Sequence, residues 1–418
     1  APSRYRAEDA AEEVQLEIED FEPVVDIESA LAGDSPLLYP ERSSNILTSF
    51  ETGDPLEHTQ DVFDAADHVV SCKIRIGRVH GLSLEPRGIV AIPESDGKLT
   101  LHTSTQAPHS VRDSICEVLG LSHSSLRVVT PDVGGGFGLK DHAYEDEIMV
   151  SLAAIQLECP VKWIEDRFEA FISTTHARDE VHMVEVAFDE DGTLRGLRVS
   201  SDRNAGARFA IFGGGPLFTA LGVVPGPYKW EAVSCTGRLV ATNTMSTGAY
   251  RGFGQTQAAL IRERAVDLVA QQLGRNPADL REQNMISREE LPYQIRTFIE
   301  FDNGDYKTAL RRATALINDV AAPSDHRRRG VGLCSYVQMA GIGPSNANEA
   351  IGLRIGGFET ANIRLEPDGT AKVATGVSPH GQGLETTIPQ LVADELGLPL
   401  ASVELICGDT DTTPYSAY

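Results

Sequence analysis

Four short stretches carry residues whose types and spacing could bring a ligand against the backbone. PDVGGGFGLKDHAYEDE, Pro131 to Glu147, places Gly134, Gly135, Gly136 and Gly138 around Phe137. Backbone without Cβ atoms can present N–H groups closely to an anionic ligand. The stretch fails two familiar templates. Lys140 follows Leu139 and precedes Asp141, so no Gly-Lys-Ser/Thr phosphate loop exists. Counted from Gly134, the sixth residue is Leu139, so the dinucleotide fingerprint is absent. A tight strand-to-helix turn explains the same residues. In NTMSTGAYRGFGQTQAALIRERA, Arg251 precedes Gly252, Phe253 and Gly254 and can offer its fork to a carbonyl or an anion; a surface ion pair is the plainer alternative. In TGVSPHGQGLETTIPQ, Gln382 lies between Gly381 and Gly383 at a helix start, where an amide can donate and accept. His380 beside it reads as a satisfied polar residue rather than a metal ligand. In LHTSTQAPHSVRD, Gln106 ends an alternating strand before a helix that Ser110 would cap.

These stretches need strands and helices to hold them. LRVVTPDV reads as a strand and YEDEIMVSLAAIQL as a helix whose acids, Glu145, Asp146 and Glu147, form a solvated first turn. Asp96-Gly97, Asp191-Gly192 and Asp368-Gly369 lie between alternating apolar runs and predict hairpins. VRDSICEVLG predicts a helix with Val111, Ile115, Val118 and Leu119 inward and Gly120 as its stop. AALIRERAVDLVAQQLG predicts another with Leu260, Ile261, Ala265, Leu268, Val269 and Leu273 on one stripe, and Asn276-Pro277 caps a third. IPQLVADELG packs Ile388, Leu391, Val392 and Leu396, and Gly397 ends it. Hairpins and helices interleave without a regular βαβ beat, so the fold class is α+β with mixed sheets and several domains. No short-period repeat is visible. The expected divisions are residues 1–38 as the helix-and-strand tail of an N-terminal αβ module, 39–58 as a polar linker, 59–325 as a first ligand-binding domain and 326–418 as the start of a second. The glycine-bearing stretches at 134–138 and 376–383 could be two halves of one site.

Composition bounds the function. The net charge of −25 opposes a nucleic-acid surface, and no apolar run reaches the length of a membrane span. Six cysteines, none closer in sequence than Cys116 and Cys159, give no zinc or iron–sulfur spacing and read as reduced, buried thiols. The balance fits a cytoplasmic protein. The abrupt ends suggest a piece of a longer polypeptide.

Taken together, SLEPRG at 83–88, STQAPH at 104–109, DVGGGFGLK at 132–140, GAYRGFGQTQA at 248–258 and HGQGLETT at 380–387 resemble the large, molybdenum-cofactor-binding subunit of the xanthine dehydrogenase, aldehyde oxidoreductase and carbon monoxide dehydrogenase family. The resemblance implies a molybdopterin, in bacteria often the cytosine dinucleotide, whose dithiolene holds molybdenum without a protein side-chain ligand. The N-terminal tail would belong to a hammerhead-like module. Gly135, Gly136, Phe137 and Gly138, Gly252, Phe253 and Gly254, and Gly381, Gln382 and Gly383 would line the cofactor. Gln106 would hydrogen-bond an oxygen ligand of the metal, and Arg251 would orient substrate and stabilise developing negative charge. Asp141 stands where purine-oxidising members carry a longer glutamate. Tyr293 falls loosely where an aromatic packs on a planar substrate; a core tyrosine is the alternative.

The implied reaction is oxidative hydroxylation of an aldehyde or aromatic N-heterocycle, with water as the oxygen source. Electrons would pass to an FAD-binding medium subunit and a [2Fe-2S] small subunit. The family's general-base glutamate, in a Gly-x-Gly-Glu motif, is not in this sequence, so the C-terminal remainder of the subunit is a further expected partner and this chain alone should be inactive. A carbon monoxide dehydrogenase-like oxidase is the alternative, although its copper-binding cysteine is replaced by the Gly252–Gly254 loop. A non-catalytic cofactor-storage or maturation protein is a third.

Overall fold

The computed structural model describes residues 1–210, 213–318, 328–341 and 359–416. A five-stranded sheet has the order β1 (Ile46–Gly53), β9 (Ala232–Ala241), β8 (Leu194–Gly206), β7 (Ala177–Phe188) and β2 (His68–Val79). A four-stranded sheet runs β5 (Leu126–Val129), β4 (Leu99–Thr103), β3 (Gly88–Pro93), β6 (Val161–Ile164), and a three-stranded one β12 (Ala361–Leu365), β13 (Ala371–Thr375), β14 (Val403–Ile406). β10 (Tyr293–Gln294) and β11 (Glu300–Phe301) make a short hairpin. The helices are α1 (Arg4–Glu12), α2 (Ile27–Ala30), α3 (Leu56–Ala65), α4 (Pro108–Leu119), α5 (Glu145–Leu157), α6 (Arg167–Ser173), α7 (Gly215–Val223), α8 (Gln255–Gln272), α9 (Pro277–Asn284), α10 (Tyr306–Asn318) and α11 (Leu384–Leu396). Parallel pairs β4/β5, β8/β9 and β13/β14 sit among antiparallel neighbours, which is the mixed α+β architecture expected.

Local chemistry explains the elements. All three Asp-Gly pairs close hairpins, with Gly97, Gly192 and Gly369 at φ +85°, +86° and +85°. Asn276 caps α9 by accepting from the Ala278 amide at 2.8 Å. Two cores then form. Leu217 and Leu221 of α7 and Ile261, Val266 and Val269 of α8 pack with Val184, Phe188, Val199 and Leu239 of the five-stranded sheet. Val111 and Ile115 of α4 and Val150 and Ala154 of α5 pack with Ile89, Leu101 and Val128 of the four-stranded sheet. Each such aliphatic side chain contributes roughly 1.5–3 kcal/mol of burial.

Two units share one connectivity. β3 and β4 pair as a hairpin, α4 crosses over, and β5 returns parallel to β4; β12, β13, α11 and β14 repeat this order. Both helices end on left-handed glycines, Gly120 and Gly397. The units join where Thr130 N donates to Gly408 O at 2.6 Å and Thr410 N to Val128 O at 3.0 Å, an antiparallel bridge between Val129 and Asp409.

Several expectations need correction. The stretch 39–58 is no linker: it supplies edge strand β1 and the first turn of α3. A half-exposed edge strand is polar enough to read as a loop. Residues 14–25 carry no strand, and Val14, Leu16, Ile18 and Phe21 are exposed; alternation makes a strand only beside a hydrogen-bonding neighbour. Ala107, not Ser110, is the N-cap of α4, because Pro108 takes the first helical position, where it lacks no needed N–H. Val118, Leu260, Leu391 and Leu396 face outward. In α8 the inward places go to Gln257, Arg262 and Glu263 instead. All six cysteines are free, but only Cys116 and Cys235 are buried; Cys159 and Cys334 are exposed.

Candidate functional site

The glycine loop follows β5. Gly135, Phe137 and Gly138 adopt φ of +99°, +59° and +96°, and positive φ in a phenylalanine is a strained state that its surroundings must hold. They do so from two sides. Gln106, in the loop between β4 and α4, accepts from the Gly138 amide through Oε1 at 2.9 Å, while its own backbone amide donates to Lys140 O at 2.7 Å. A Cβ on Gly136 would collide with the Gln106 side chain, and one on Gly138 would lie 2.8 Å from the Ala249 carbonyl carbon. The amides of Gly135, Gly136 and Phe137 find no acceptor among the described residues.

The second side is the Tyr250–Gly254 loop ahead of α8. Arg251 N donates to Phe137 O at 3.0 Å, and Gly252, Phe253 and Gly254 follow at φ +102°, +43° and +91°. The Arg251 side chain is exposed and makes no ion pair among the described residues, against the plainer surface-pair reading. The third element is the turn before α11. Gln106 Nε2 lies 3.5 Å from His380 Nε2, and His380 N donates to Gln382 Oε1 at 2.6 Å. Gly381 and Gly383, at φ +101° and +88°, have no atom within 4 Å of the point where a Cβ would stand, so their backbone borders open space. The two glycine-bearing stretches do converge.

Behind the glycine loop lies a polar layer that sequence reasoning missed. Lys140 is fully buried; its Nζ donates to Glu85 O at 3.0 Å and to Ser104 Oγ at 2.8 Å and pairs with Glu85 Oε2 at 3.3 Å. Burial pushes its pKa down. The Glu85 carboxylate also accepts from the Gly134 amide. Arg87, equally buried, pairs with Glu165 at 2.8 Å and Asp146 at 2.7 Å and lies 3.9 Å above the Tyr144 ring. The first turn of α5 is therefore not a solvated acid run. Asp146 is half-buried and meets Arg87, Glu147 is buried, bonded to the Tyr144 amide at 2.7 Å and Thr103 Oγ1 at 3.2 Å, and Glu145 is exposed, beside Arg208. Burial pushes Glu147 up to about 7. The signal available was that Glu85, Arg87 and Lys140 all sit inside the quoted motifs.

Asp141 is half-buried next to Lys140, and burial pushes its carboxyl up to about 7. Tyr293 is elsewhere: it packs with Ile286, Ile295 and Phe301 in a separate cluster rather than against the glycine loop. That placement favours the core-tyrosine alternative.

Residues 38–285 and 305–418 each match a model described as a molybdopterin cofactor-binding domain. The chain belongs to the molybdenum-cofactor-binding large subunits of the xanthine dehydrogenase, aldehyde oxidoreductase and carbon monoxide dehydrogenase family. It is 35% identical over 442 residues to the carbon monoxide dehydrogenase large chain of Hydrogenophaga pseudoflava, covering 99% of this chain and 54% of that one. It is 30% identical over 439 residues to the nicotine 6-hydroxylase large subunit of Paenarthrobacter nicotinovorans, covering 100% and 52%. The solved structure of quinoline 2-oxidoreductase from Pseudomonas putida 86 superposes with a TM-score of 0.90 at 32% identity, covering 100% of this chain and 54% of that one. The chain thus spans about half the length of the relatives it matches.

The residues present suit the family's cofactor. Free amides at 135–137, bare backbone at 381–383 and a guanidinium without an ion pair among the described residues are anion-binding groups. Among the described residues, no group of three His, Cys, Asp or Glu is placed to hold a metal. No helix among the described residues is long and apolar enough to cross a membrane.

Proposed function

We propose that this chain is the cofactor-binding part of a molybdenum hydroxylase large subunit that oxidises an aromatic N-heterocycle or an aldehyde. The observation that carries this is that Gln106 contacts both Gly138 and His380 while Arg251 N bonds Phe137 O, so the three glycine-bearing loops are linked side by side. When bound, the molybdopterin, in its cytosine dinucleotide form, supplies the two-electron oxidation that places a water-derived oxygen on an electrophilic carbon.

The chain's own residues hold and orient. The amides of Gly135, Gly136 and Phe137 receive anionic groups of the cofactor, and the 252–254 and 381–383 turns let its edges approach the backbone. Gln106 Oε1 is committed to Gly138, so its Nε2–H faces the site as a donor. Arg251, tied by its amide to Phe137 O, offers its guanidinium to charge developing on a substrate oxygen or ring nitrogen. Asp141, beside Lys140 and with its carboxyl pushed up by burial, is the group offered to a heterocycle nitrogen. The proton-accepting glutamate comes from outside these residues. Partner subunits, in the cytoplasm, would carry the [2Fe-2S] and FAD groups that accept the electrons.

The resemblance to a quinoline 2-oxidoreductase and a nicotine 6-hydroxylase supports the heterocycle. The 35% identity to a carbon monoxide dehydrogenase large chain favours a second reading, oxidation of carbon monoxide; the Gly252-Phe253-Gly254 loop, without cysteine, opposes it. An anaerobic screen of the intact complex, following flavin bleaching beside metal analysis, decides. Bleaching by a heterocycle or aldehyde with molybdenum and no copper upholds the proposal. Bleaching by carbon monoxide with stoichiometric copper replaces it, and no bleaching by any of them leaves a storage protein.

A further inference from the structure

Gln106 and Gln382 occupy the same place in the two repeated units: each lies two residues ahead of the first residue of its helix, Pro108 or Leu384. His380 stands between their side chains, and two of its three ring contacts favour one tautomer. The Gly138 N–H only donates, so the Gln106 atom 2.9 Å from it is Oε1, and Nε2 is the atom that faces His380 Nε2 at 3.5 Å. The Ser378 carbonyl only accepts, so His380 Nδ1, 3.0 Å away, carries the ring proton. Nε2 is then bare and accepts from the Gln106 amide. Gln382 Oε1 accepts from His380 N at 2.6 Å, and its Nε2 lies 3.4 Å from Ser378 O and 3.2 Å from His380 Nδ1, so with Nδ1–H its amide hydrogen serves the Ser378 carbonyl and not the ring. The opposite tautomer would accept from Gln382 Nε2, but it sets N–H against N–H at Gln106 and puts a bare Nδ1 against the Ser378 carbonyl, losing two contacts for one.

We propose that His380, as the Nδ1–H tautomer, is a positioning residue that locks the Gln106 amide to the 380–383 turn and so sets the spacing between the two halves of the cofactor site. This rests on the cofactor-binding reading above. It also gives the histidine a task in a turn that leaves it half-buried, with open space beside Gly381.

An asparagine at this position places its amide near the Nδ1 position, and a glutamine reaches the Nε2 position. His380→Gln therefore keeps an acceptor for Gln106, whereas His380→Asn serves only Ser378. The assembled full-length complex is prepared with each, and molybdenum per polypeptide, kcat, KM, melting temperature and a crystal structure are compared. His380→Gln is expected to retain at least half the wild-type molybdenum and kcat, with Gln106 still on Gly138. His380→Asn is expected to lose at least fivefold in kcat with little change in KM, its Gln106 side chain displaced, at an unchanged melting temperature. Gln106→Leu combined with His380→Asn should cost no more than Gln106→Leu alone. Equal behaviour of the two variants, additive losses in the double variant, or a melting temperature that falls alike in both overturns the proposal. A wild-type complex without molybdenum overturns the cofactor reading instead, and the position of Gln106 in the two crystal structures still decides the role of His380.

Discussion

The backbone N–H of Arg251 donates to the carbonyl oxygen of Phe137 at 3.0 Å. One bond thus ties the loop that carries the cation to the loop that carries the free amides. Because it is a backbone bond, the side chain of Arg251 can be changed without loosening it. Arg251→Met should lower kcat/KM in the intact complex by roughly 10²- to 10³-fold, the usual cost of removing one charge-stabilising donor. Its stability should stay within about 0.5 kcal/mol of wild type, as for most exposed positions. Steady-state kinetics beside thermal melting checks both halves.

Gly138 is a position where a single methyl should matter. Its φ is +96°, and a Cβ would press on the Ala249 backbone at 2.8 Å. Ala249 has no flexible side chain that can swing away. Gly138→Ala should destabilise the protein by about 1–3 kcal/mol and empty the site of molybdenum; urea unfolding and metal analysis are the measurements.

Glu147 predicts a pH dependence. Burial raises its carboxyl from 4.5 to about 7 in the folded state. A raised carboxyl favours folding most below its unfolded value, and that contribution is lost as pH rises through the folded one. Stability should therefore fall from pH 4.5 to about 7 on account of this group, by about 3 kcal/mol at most. Glu147→Gln keeps an acceptor for the Tyr144 amide and removes the titration. It should be more stable than wild type at pH 8 and no more stable at pH 4.5, by chemical denaturation at each pH.

Glu263 holds a buried network apart from the site. It accepts from Tyr228 Oη at 2.9 Å, Arg262 Nε at 2.9 Å, Arg281 Nε at 2.8 Å and the Ser335 amide at 3.1 Å. These partners pull its carboxyl pKa down despite burial. Glu263→Ala removes the carboxylate that Arg262 pairs with and one of the two that Arg281 pairs with, and should cost about 3–5 kcal/mol. Calorimetric melting reads that loss, and Arg262→Met in the same background should recover part of it.

Turn chemistry made much of this fold legible. Asp-Gly pairs demand positive φ at fixed places, and all three hairpins follow from them. Helix stops at Gly120 and Gly397 follow likewise. Phe137, Arg251 and Gln382 stood out because they sit among glycines and Gln106 because it ends an alternating stretch, but their roles came from the resemblance of five ordered motifs to one family and not from spacing alone. What escaped was whatever depends on partners far along the chain. The β1 edge strand is polar by composition and exists only because β9 offers its ladder. Lys140 and Glu147 look like surface charges until the four-stranded sheet is closed over them. The repeat of the two units is carried by connectivity, with little shared sequence beyond a turn and a glutamine.

The bridge between Val129 and Asp409 has a consequence in time. Gln106 and His380 are 274 positions apart, and a ribosome adding about 5–20 residues per second separates their appearance by roughly ten seconds to a minute. The first unit can settle alone during that wait, with half a binding surface turned to solvent. Whatever delivers the cofactor must therefore meet a polypeptide whose synthesis has already passed the second glutamine, which makes loading an event of maturation and not of translation.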